Sequence, residues 1–354
     1  MAAFPSFKNV IWLQTGFIGD VVLTTAACEL LSQELPHIRQ FAITTQAGDG
    51  VLEGCPHLER RFVFNKRSGI LNFKPFLEMK RALQHHGLSA QNSVILQGHR
   101  STRSSLLAFY LGLPTVTYDE TPLRFHASWK VPRVAVYHET GRIGMLLQPF
   151  GIPRTKIIAA RPSLSPLEIG DHTPLQFLKA PRNFIGIAPG SVWGTKRWPR
   201  ESFSSLVDKL LKECTEVDIV LLGSIQEEEI AKGIFESNSS AQNRIHNLVG
   251  KTSLKDLRRI FPRLKLLIAN DSSPIHYASA FSVATVALFG ATIPAMGFGP
   301  TAPGSRALGI DLSCRPCSDH GPQICPLGHF QCMKSLTVDS VFKTCKDVFQ
   351  KVLV

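Results

Sequence analysis

Short apolar runs alternate with segments of helical periodicity along most of the chain. Residues 10–13 are apolar, residues 14–20 contain two glycines, and residues 21–35 place apolar side chains at helical spacing. A buried strand, a glycine-containing loop and a helix in this order are how a parallel α/β sheet begins. The alternation continues through the first half of the chain, where it predicts strands at 41–44, 93–96 and 115–117 and a helix at 104–111.

A second array of the same kind follows a proline-rich segment. Pro162, Pro166, Pro174 and Pro181 interrupt any regular element between residues 160 and 181, which predicts a linker there. Beyond the linker the pattern predicts strands at 184–188, 218–222, 264–269 and 284–289, with helices over 200–213, from Glu227, from Pro274 and over 339–353.

Two such arrays predict an α/β protein with two Rossmann-like, doubly wound domains that face each other across a cleft. The expected divisions are an N-terminal domain at 1–165, a linker at 166–182, a C-terminal domain at 183–338, and a final helix at 339–354 that packs back on the first domain. Ligands of such sheets bind at the carboxyl ends of the strands, so the cleft is the expected site.

The net charge of the chain restricts the possible classes of function more than its hydrophobicity does. Hydrophobic residues make up 44% of the chain, which is enough for sizeable cores and too much for a disordered protein. The formal net charge is +12, and residues 60–156 carry 15 Lys/Arg against four Asp/Glu, so the excess is concentrated in the first half. Such an excess indicates a polyanionic partner: a nucleic acid, an anionic membrane or a phosphorylated substrate.

The eight cysteines do not by themselves indicate a secreted protein. The opening apolar stretch covers only residues 10–13 before polar residues interrupt it, so no secretory signal is predicted. The longest uncharged run, residues 277–305, contains several prolines and glycines and is interpreted as a buried helix, strand and loop. We therefore expect a cytoplasmic protein in a reducing compartment.

The loop after the first strand, residues 15–20, contains Gly16 and Gly19 and ends in Asp20. Its glycines are three positions apart and no third one follows, so it differs from the G-x-G-x-x-G dinucleotide fingerprint. Glycines let the backbone turn tightly and approach a ligand. Asp20 stands where a helix begins, and one interpretation is a carboxylate that only stabilises the helix N-terminus.

Residues 188–199 form a second loop between a strand and a helix. The loop offers small residues and hydroxyls, the adjacent cations Lys196 and Arg197, and the indoles of Trp193 and Trp198. Backbone N–H groups, a helix N-terminus and Lys196 would suit a diphosphate. The alternative is a solvated basic loop with Trp198 packed beneath it.

A third loop, residues 270–276, follows the strand predicted at 264–269. The free amides of Ser272 and Ser273 would meet phosphate oxygens, and a proline after them suits the first turn of a helix. His276 belongs to this site or is a core histidine with satisfied hydrogen bonds. Residues 290–292, at the end of the next strand, would lie beside it.

Four cysteines near the C-terminus form the pattern C-x2-C-x7-C-x6-C: Cys314, Cys317, Cys325 and Cys332. Thiolates at such spacing can close a tetrahedral structural zinc site. Packed thiols and a redox disulfide are the alternatives.

In their order and separation these motifs resemble glycosyltransferase family 9, the ADP-heptose:lipopolysaccharide heptosyltransferases of Gram-negative bacteria. The resemblance covers almost the whole chain. It rests on Gly-x-x-Gly-Asp at 16–20, on Pro-Gly-Ser and Lys-Arg-Trp-Pro within 189–199, and on Asn-Asp-Ser-Ser-Pro-Ile-His at 270–276 followed by Ala-Leu-Phe-Gly-Ala-Thr at 287–292. The tail with Cys-Pro-Leu-Gly-His at 325–329 is similar to the second-heptose branch.

The resemblance implies a GT-B fold in which the first domain binds the acceptor and the second binds ADP-heptose. It implies inverting transfer of L-glycero-D-manno-heptose, with Asp20 as the general base and Lys196 as the residue that contacts the diphosphate. Ser273 stands where the family has glycine, and Glu227 or Glu228 corresponds to an acidic donor contact. The other implied donor-binding residues are Gly190, Ser191, Thr195, Gly223, Ser224, Asp271, Ser272, His276, Gly290 and Thr292.

On the acceptor side the resemblance assigns the basic excess to a lipid A–core acceptor, with the heptose added to the first heptose of the lipopolysaccharide inner core. Because such lipids lie in the cytoplasmic leaflet, we expect peripheral association with the inner membrane. The chain contains no D-x-D pair, so we expect metal-independent transfer with no cofactor. The candidate acceptor-binding residues are Gly16, Gly19, Lys66, Arg67, Arg100, Arg103 and Arg124.

Three rival functions are compatible with parts of this pattern. One is a GT-B enzyme that uses a UDP- or GDP-sugar, and another is a member of the same family that transfers a different sugar, since specificity depends on a few side chains. The third is a basic nucleic-acid-binding α/β protein, which is disfavoured because no element interleaves basic residues with aromatic ones.

Overall fold

A computed structural model describes residues 5–65, 73–170 and 174–353 of the chain. The chain divides into two compact units, Met1–Ser165 and Pro166–Val354. Each unit is built around its own parallel sheet.

The described part of the first unit contains six strands and six α-helices. The strands are β1 (Asn9–Gln14), β2 (Arg39–Thr44), β3 (Leu58–Val63), β4 (Ser93–Gln97), β5 (Thr115–Tyr118) and β6 (Trp129–Val131). The helices are α1 (Ile18–Glu34), α2 (Gln46–Leu52), α3 (Lys74–His85), α4 (Thr102–Leu111), α5 (Glu139–Gly144) and α6 (Arg154–Ala159).

The first sheet has the strand order β3-β2-β1-β4-β5-β6, with every pair parallel. The order reverses between β1 and β4, where the register pairs Leu13 with Gln97 and so brings the carboxyl ends of both strands together. All six residues of β1 are buried, because helices cover both faces of a central parallel strand. In sheets of this order the reversal point is where ligands bind.

The described part of the second unit repeats this design. Its strands are β7 (Asn183–Ala188), β8 (Val217–Leu221), β9 (Ile245–Asn247), β10 (Leu264–Asn270), β11 (Thr285–Leu288) and β12 (Arg306–Leu308). Its α-helices are α7 (Arg200–Glu213), α8 (Glu228–Ser237), α9 (Leu254–Ile260), α10 (Ser273–Ala280), α11 (Gln331–Lys334) and α12 (Val338–Leu353).

The second sheet is also parallel, in the order β12-β11-β10-β7-β8-β9. Its reversal point lies between β7 and β10, where Ala188 pairs with Ala269. The loops predicted at 188–199 and 270–276 leave these two strands, so both meet at one edge of the sheet. The predicted α/β fold class, with two doubly wound sheets, is confirmed.

The final helix belongs to the second unit. Val341, Phe342, Cys345, Val348 and Phe349 of α12 lie in the same hydrophobic core as α7 and the sheet strands. These side chains follow the three-and-four spacing of a helix face, so one face of α12 is buried there. Helix α12 is thus part of the second unit, and its packing on the first domain stays a prediction.

Of the helices in the described residues, none combines the length and apolar character needed to cross a membrane.

Candidate donor and acceptor sites

At the reversal point of the second sheet, Lys196 and Asp271 form a buried ion pair. Lys196 Nζ lies 2.6 Å from Asp271 Oδ2, and their side chains are 12% and 7% exposed. The Thr292 hydroxyl donates to the same carboxylate oxygen at 2.6 Å. Loops after β7, β10 and β11 therefore contribute one residue each to a single polar cluster, as the three sequence motifs predict.

The side chain of Asn270 ties the second loop to the third. Its Nδ2 donates to the carbonyl of Pro189 at 2.7 Å, and its Oδ1 accepts from the backbone N–H of Trp198 at 3.0 Å. Trp198 is buried and its indole N–H donates to the carbonyl of Leu336 at 2.9 Å. Residues 189–198 are thus held at both ends, and Trp198 is packed beneath the loop as the alternative interpretation expects.

Glu227 is the acidic residue that reaches the ends of β7 and β8. A Cβ placed on Gly190 would lie 2.0 Å from Glu227 Oε1, and one on Gly223 would lie 2.9 Å from its Oε2. The Ser224 hydroxyl donates to Glu227 Oε2 at 2.7 Å, which caps the turn that precedes α8. Glu228, by contrast, is exposed in the first turn of α8. Of the two glutamates, Glu227 is therefore the one that lies against the ends of β7 and β8.

Ser272 and Ser273 begin α10 after the buried end of β10. Ser272 is extended and its hydroxyl donates to the carbonyl of Asn270 at 3.2 Å. Ser273 lies in the first turn of α10 and is not in the left-handed region, so the position does not demand glycine. His276 is buried on α10, with Phe298 6.2 Å from its ring. Its burial is consistent with the core interpretation that sequence reasoning considered.

The cysteine-rich segment packs on the loop that carries Lys196. Thr195 donates through its hydroxyl to the carbonyl of Pro322 at 2.5 Å, and the Gly194 N–H donates to Gln323 Oε1 at 3.0 Å. A Cβ on Gly290 would lie 2.6 Å from the Thr195 carbonyl oxygen. The carbonyl of Ser191, a buried residue, accepts from Arg197 Nε at 2.7 Å. The segment 317–323 thus supports the predicted diphosphate loop from one side.

The four clustered cysteines are free thiols. Cys317 Sγ donates to the carbonyl of Cys314 at 3.4 Å, whereas Cys332 is buried in the hydrophobic core of the second unit. Across residues 5–65, 73–170 and 174–353, no three His, Cys, Asp or Glu side chains are grouped so that they could hold a metal ion. The Cys332 thiol is nevertheless close enough to Cys314, Cys317 and Cys325 for their charges to raise its pKa together with burial, and the zinc, packed-thiol and disulfide alternatives stay predictions.

In the first unit, Asp20 occupies the first turn of α1 at the sheet's reversal point. Its Oδ2 accepts from the backbone N–H of Phe17 at 3.2 Å, as the helix-capping interpretation predicts. A Cβ on Gly16 would lie 2.9 Å from the same Asp20 oxygen, so only glycine allows the loop to pass this close. Gly19 is buried in the first turn of α1.

The pKa of Asp20 differs from that of an ordinary helix-capping carboxylate. Burial, followed by the nearby charge of Glu139, raises the pKa of Asp20 from 3.8 to about 7. Glu139 is buried at the start of α5 and is held by Arg133 at 2.6 Å and Arg142 at 3.0 Å. A carboxyl group with a pKa near neutral is suited to accept a proton at working pH.

A polar network beside Asp20 was not found from the sequence. His99 Nδ1 lies 3.1 Å from the Thr15 hydroxyl and 3.1 Å from the Ser104 hydroxyl. His99 Cδ2 would lie 3.2 Å from a Cβ on Gly16, on which Asp20 also converges. The signal that could have revealed His99 is its position directly after Gly98 at the end of β4, the strand across the reversal point from β1.

The predicted basic residues are distributed unevenly around this site. Arg100 pairs with Glu120, Arg103 lies over the ring of Phe64 at 5.6 Å, and Arg124 is exposed. Lys66 and Arg67 lie outside the described residues.

The chain is similar to known proteins in its amino-acid sequence. Residues 146–325 match the family model described as glycosyltransferase family 9 (heptosyltransferase). Over 191 residues the chain is 30% identical to lipooligosaccharide heptosyltransferase 2 of Campylobacter jejuni, which covers 52% of this chain and 56% of that protein. The chain thus spans a little over half the length of the first curated relatives that it matches.

Solved structures extend the likeness to the whole fold. The structure of Escherichia coli ADP-heptose lipopolysaccharide heptosyltransferase II superposes with a TM-score of 0.77 at 19% identity, covering 98% of this chain and all of that one. A glycosyltransferase family 9 protein of Veillonella parvula gives a TM-score of 0.80 at 21% identity, covering 98% of both chains.

Two parallel six-stranded sheets with these structural neighbours define the GT-B fold. Within that fold class, the chain belongs to glycosyltransferase family 9.

Proposed function

We propose that this protein transfers L-glycero-D-manno-heptose from ADP-heptose to the inner core of lipopolysaccharide, adding the second heptose to the first. The observation that carries the proposal is the pairing of Lys196 with Asp271 at the ligand-binding edge of the second sheet. That edge combines a buried cation, loop amides and a helix N-terminus, which together fit a nucleoside diphosphate. The names of the relatives supply the sugar and the acceptor.

The second unit holds the donor in this proposal. Lys196 and the amides of Ser272 and Ser273 contact the diphosphate, and Glu227 accepts hydrogen bonds from hydroxyl groups of the nucleotide. Gly190, Gly223 and Gly290 are required because their neighbours leave no space for a Cβ. The closeness of Gly190 to Glu227 supports the placement of the nucleotide beside the ends of β7 and β8.

The first unit holds the acceptor hydroxyl next to Asp20. The Asp20 carboxylate takes the hydroxyl proton while that oxygen attacks the anomeric carbon of the heptose. The bond from the anomeric carbon to the diphosphate oxygen breaks, and ADP leaves with the electron pair. A single displacement of this kind inverts the anomeric configuration, and a positioned base contributes about 10²–10⁴-fold to the rate.

Charge on the departing ADP is balanced by protein groups in this mechanism. Lys196 is the cation, and the N–H groups at the start of α10 add the positive end of a helix dipole. We therefore propose transfer that continues in EDTA. Complete loss of activity that a divalent metal restores would contradict this part of the proposal.

A donor panel and one substitution test the function. We expect calorimetric titration to show a preference for ADP over UDP and GDP, and we expect purified protein to consume ADP-heptose only with a core that ends in the first heptose. Asp20→Ala should lower turnover by about 10²–10⁴-fold while ADP binding persists, because Asp20 lies in the acceptor unit.

Three results would separate the alternatives. Preference for UDP or GDP would overturn the donor, and turnover of a different ADP-sugar would overturn the heptose. Near-normal turnover of the Asp20→Ala variant would overturn the assignment of the base.

A further inference from the structure

The first unit carries an exposed apolar patch formed by Leu106, Phe109, Leu123 and Phe125. Phe109 and Phe125 are 60% and 71% exposed, and their ring centroids lie 6.0 Å apart. Thr102, Leu106 and Phe109 lie on the solvent-facing side of α4. That side of a surface helix ordinarily carries polar residues, whereas Leu106 and Phe109 are apolar. Clustered exposed aromatics of this kind mark a surface that binds another molecule or a membrane.

The backbone is arranged so that Phe125 points outward. Leu123 has a left-handed conformation, with φ of 56°, which is uncommon for a residue with a side chain. A short 3-10 turn at Arg124–His126 follows, and His126 Nδ1 lies 2.6 Å from the Leu123 carbonyl oxygen. The turn is therefore held in a costly conformation that presents an aromatic ring to solvent.

Cations lie on the turn that carries the patch and on the neighbouring helix. Arg124 is exposed between Leu123 and Phe125, and Lys80 of α3 lies 5.6 Å from the ring of Tyr110, the residue after Phe109. Helix α3, which packs beside α4, also exposes Arg81, and it exposes Lys74, which pairs with Glu78. Aromatic rings with cations beside them match the interfacial layer of an anionic bilayer, where rings sit among head groups and cations meet phosphates.

The patch is also joined to the candidate acceptor site. His126, next to Phe125, lies 3.2 Å through Nε2 from Gln97 Oε1, and Gln97 Nε2 donates to the carbonyl of His99. His99 lies beside Gly16 and Asp20. The patch is therefore linked through hydrogen bonds to the residue that lies beside Gly16 and Asp20.

We propose that Leu106, Phe109, Leu123 and Phe125, with Arg124, form the surface by which this protein docks on an anionic lipid bilayer. The inference rests on the proposed function for its choice of a bilayer over a protein partner, because that function implies a lipid-borne acceptor.

Vesicle binding without any substrate tests the surface directly. We expect the full-length protein to bind phosphatidylcholine vesicles containing phosphatidylglycerol about tenfold more tightly than pure phosphatidylcholine vesicles. The double variant Phe109→Ser/Phe125→Ser should lose about tenfold or more of that binding, since two interfacial rings are removed. The matched control is Ile324→Ser/Leu327→Ser, which removes two similarly exposed apolar side chains from the second unit.

The proposal is overturned if the phenylalanine variant floats with anionic vesicles like the wild type, or if both double variants lose binding equally. It is also overturned if light scattering shows that the phenylalanine variant converts an oligomer to a monomer, because the patch would then be a contact between copies. Retained melting temperature and circular dichroism establish that the variant is folded.

A turnover assay distinguishes failure of this inference from failure of the proposed function. The phenylalanine variant should process a water-soluble, acyl-free core acceptor at the wild-type rate and lose about tenfold on the same core embedded in anionic vesicles. Equal rates on both acceptors would reject the docking surface and leave the transferase function intact. If the wild type processes neither acceptor, the proposed function fails, and the vesicle-binding result still decides the surface.

Discussion

The ammonium group of Lys196 lies 2.6 Å from Oδ2 of Asp271. An ammonium has three hydrogens and the carboxylate accepts one of them, so the pair orients the cation without using all of its donors. Thr292 in turn donates to Asp271 and fixes the position of the carboxylate. Asp271 is therefore placed to orient the lysine that we propose as the contact for the diphosphate.

Replacement of Lys196 by methionine tests this pair. Lys196→Met keeps the length of the side chain and removes its charge, so we expect turnover to fall by about 10²-fold or more. Asp271 would be left buried without its cation, which should lower the free energy of unfolding by about 3–5 kcal/mol. Steady-state kinetics measures the fall in turnover, and urea unfolding measures the loss of stability.

The chain offers a matched control in Lys209, whose Nζ also lies 2.6 Å from a carboxylate, that of Asp339, but at the surface. Lys209→Met should leave turnover and ADP binding unchanged, because exposed pairs contribute little. Equal damage from both substitutions would mean that Lys196 has no special role at the diphosphate.

Glu227 and Glu228 provide a second matched test, on adjacent residues. Glu227→Gln removes the charge of the carboxylate that lies against Gly190 and Gly223, and we expect it to weaken ADP binding roughly tenfold through the loss of charge-assisted hydrogen bonds. Glu228→Gln, on the exposed side of the same turn, should bind ADP like the wild type. Calorimetric titration decides between them, and the reverse pattern would assign the donor contact to Glu228.

The hydrophobic pattern of the sequence predicts the inner strands of both sheets and does not predict the edge strands. The eight predicted strands are the inner strands of both sheets, where burial on two faces produces continuous apolar runs. The four that it missed, β3, β6, β9 and β12, are the four sheet edges. Three of these have only three residues, and β3 has three consecutive charged residues, 59–61, at its centre, so no apolar run indicates them.

The candidate site divides in a similar way. Lys196, Asp271 and Thr292 were predicted because each follows an inner strand inside a contiguous motif. Glu139 was not, because it joins Asp20 only through the packing of α5 against α1, more than a hundred residues later. The sequence pattern identifies the residues that follow a strand. It does not identify the charges that change the pKa of Asp20, because these lie on elements that are distant in sequence and meet only in the folded protein.

Substitution of Glu139 should change the pH dependence of the reaction. Glu139 carries a negative charge that raises the pKa of Asp20. In Glu139→Gln that charge is absent while the charges of Arg133 and Arg100, which lower the pKa of Asp20, remain, so the ionised form of Asp20 is favoured. We expect the acidic limb of the kcat/KM profile, which begins near pH 7 in the wild type, to move to lower pH.

A control for this shift is Glu34→Gln, which removes the partner of Lys156 at the other end of α1. This variant should keep the wild-type limb. A Glu139→Gln profile that is lowered at every pH without displacement would indicate a structural role for Glu139 and no influence on Asp20.

Asp20 should also make stability depend on pH, in the direction opposite to that of most carboxylates. The pKa of its side chain is 3.8 in the unfolded chain and about 7 in the native protein, so between these values the native state holds a proton that the unfolded state has lost. The ionisation of Asp20 therefore does not affect the free energy of unfolding below about pH 4. It lowers that free energy increasingly as pH rises, and the loss reaches its full value above pH 7.

Asp20→Asn should raise the free energy of unfolding by about 2–4 kcal/mol at pH 8 and by much less at pH 5. Urea unfolding at both pH values measures this, with the exposed Asp119→Asn as the control that should show no such difference. An equal gain in the free energy of unfolding at pH 5 and pH 8 would show that the Asp20 carboxyl group of the wild-type protein does not titrate near neutrality. A base with a pKa near 7 would then have to be another residue of the first unit.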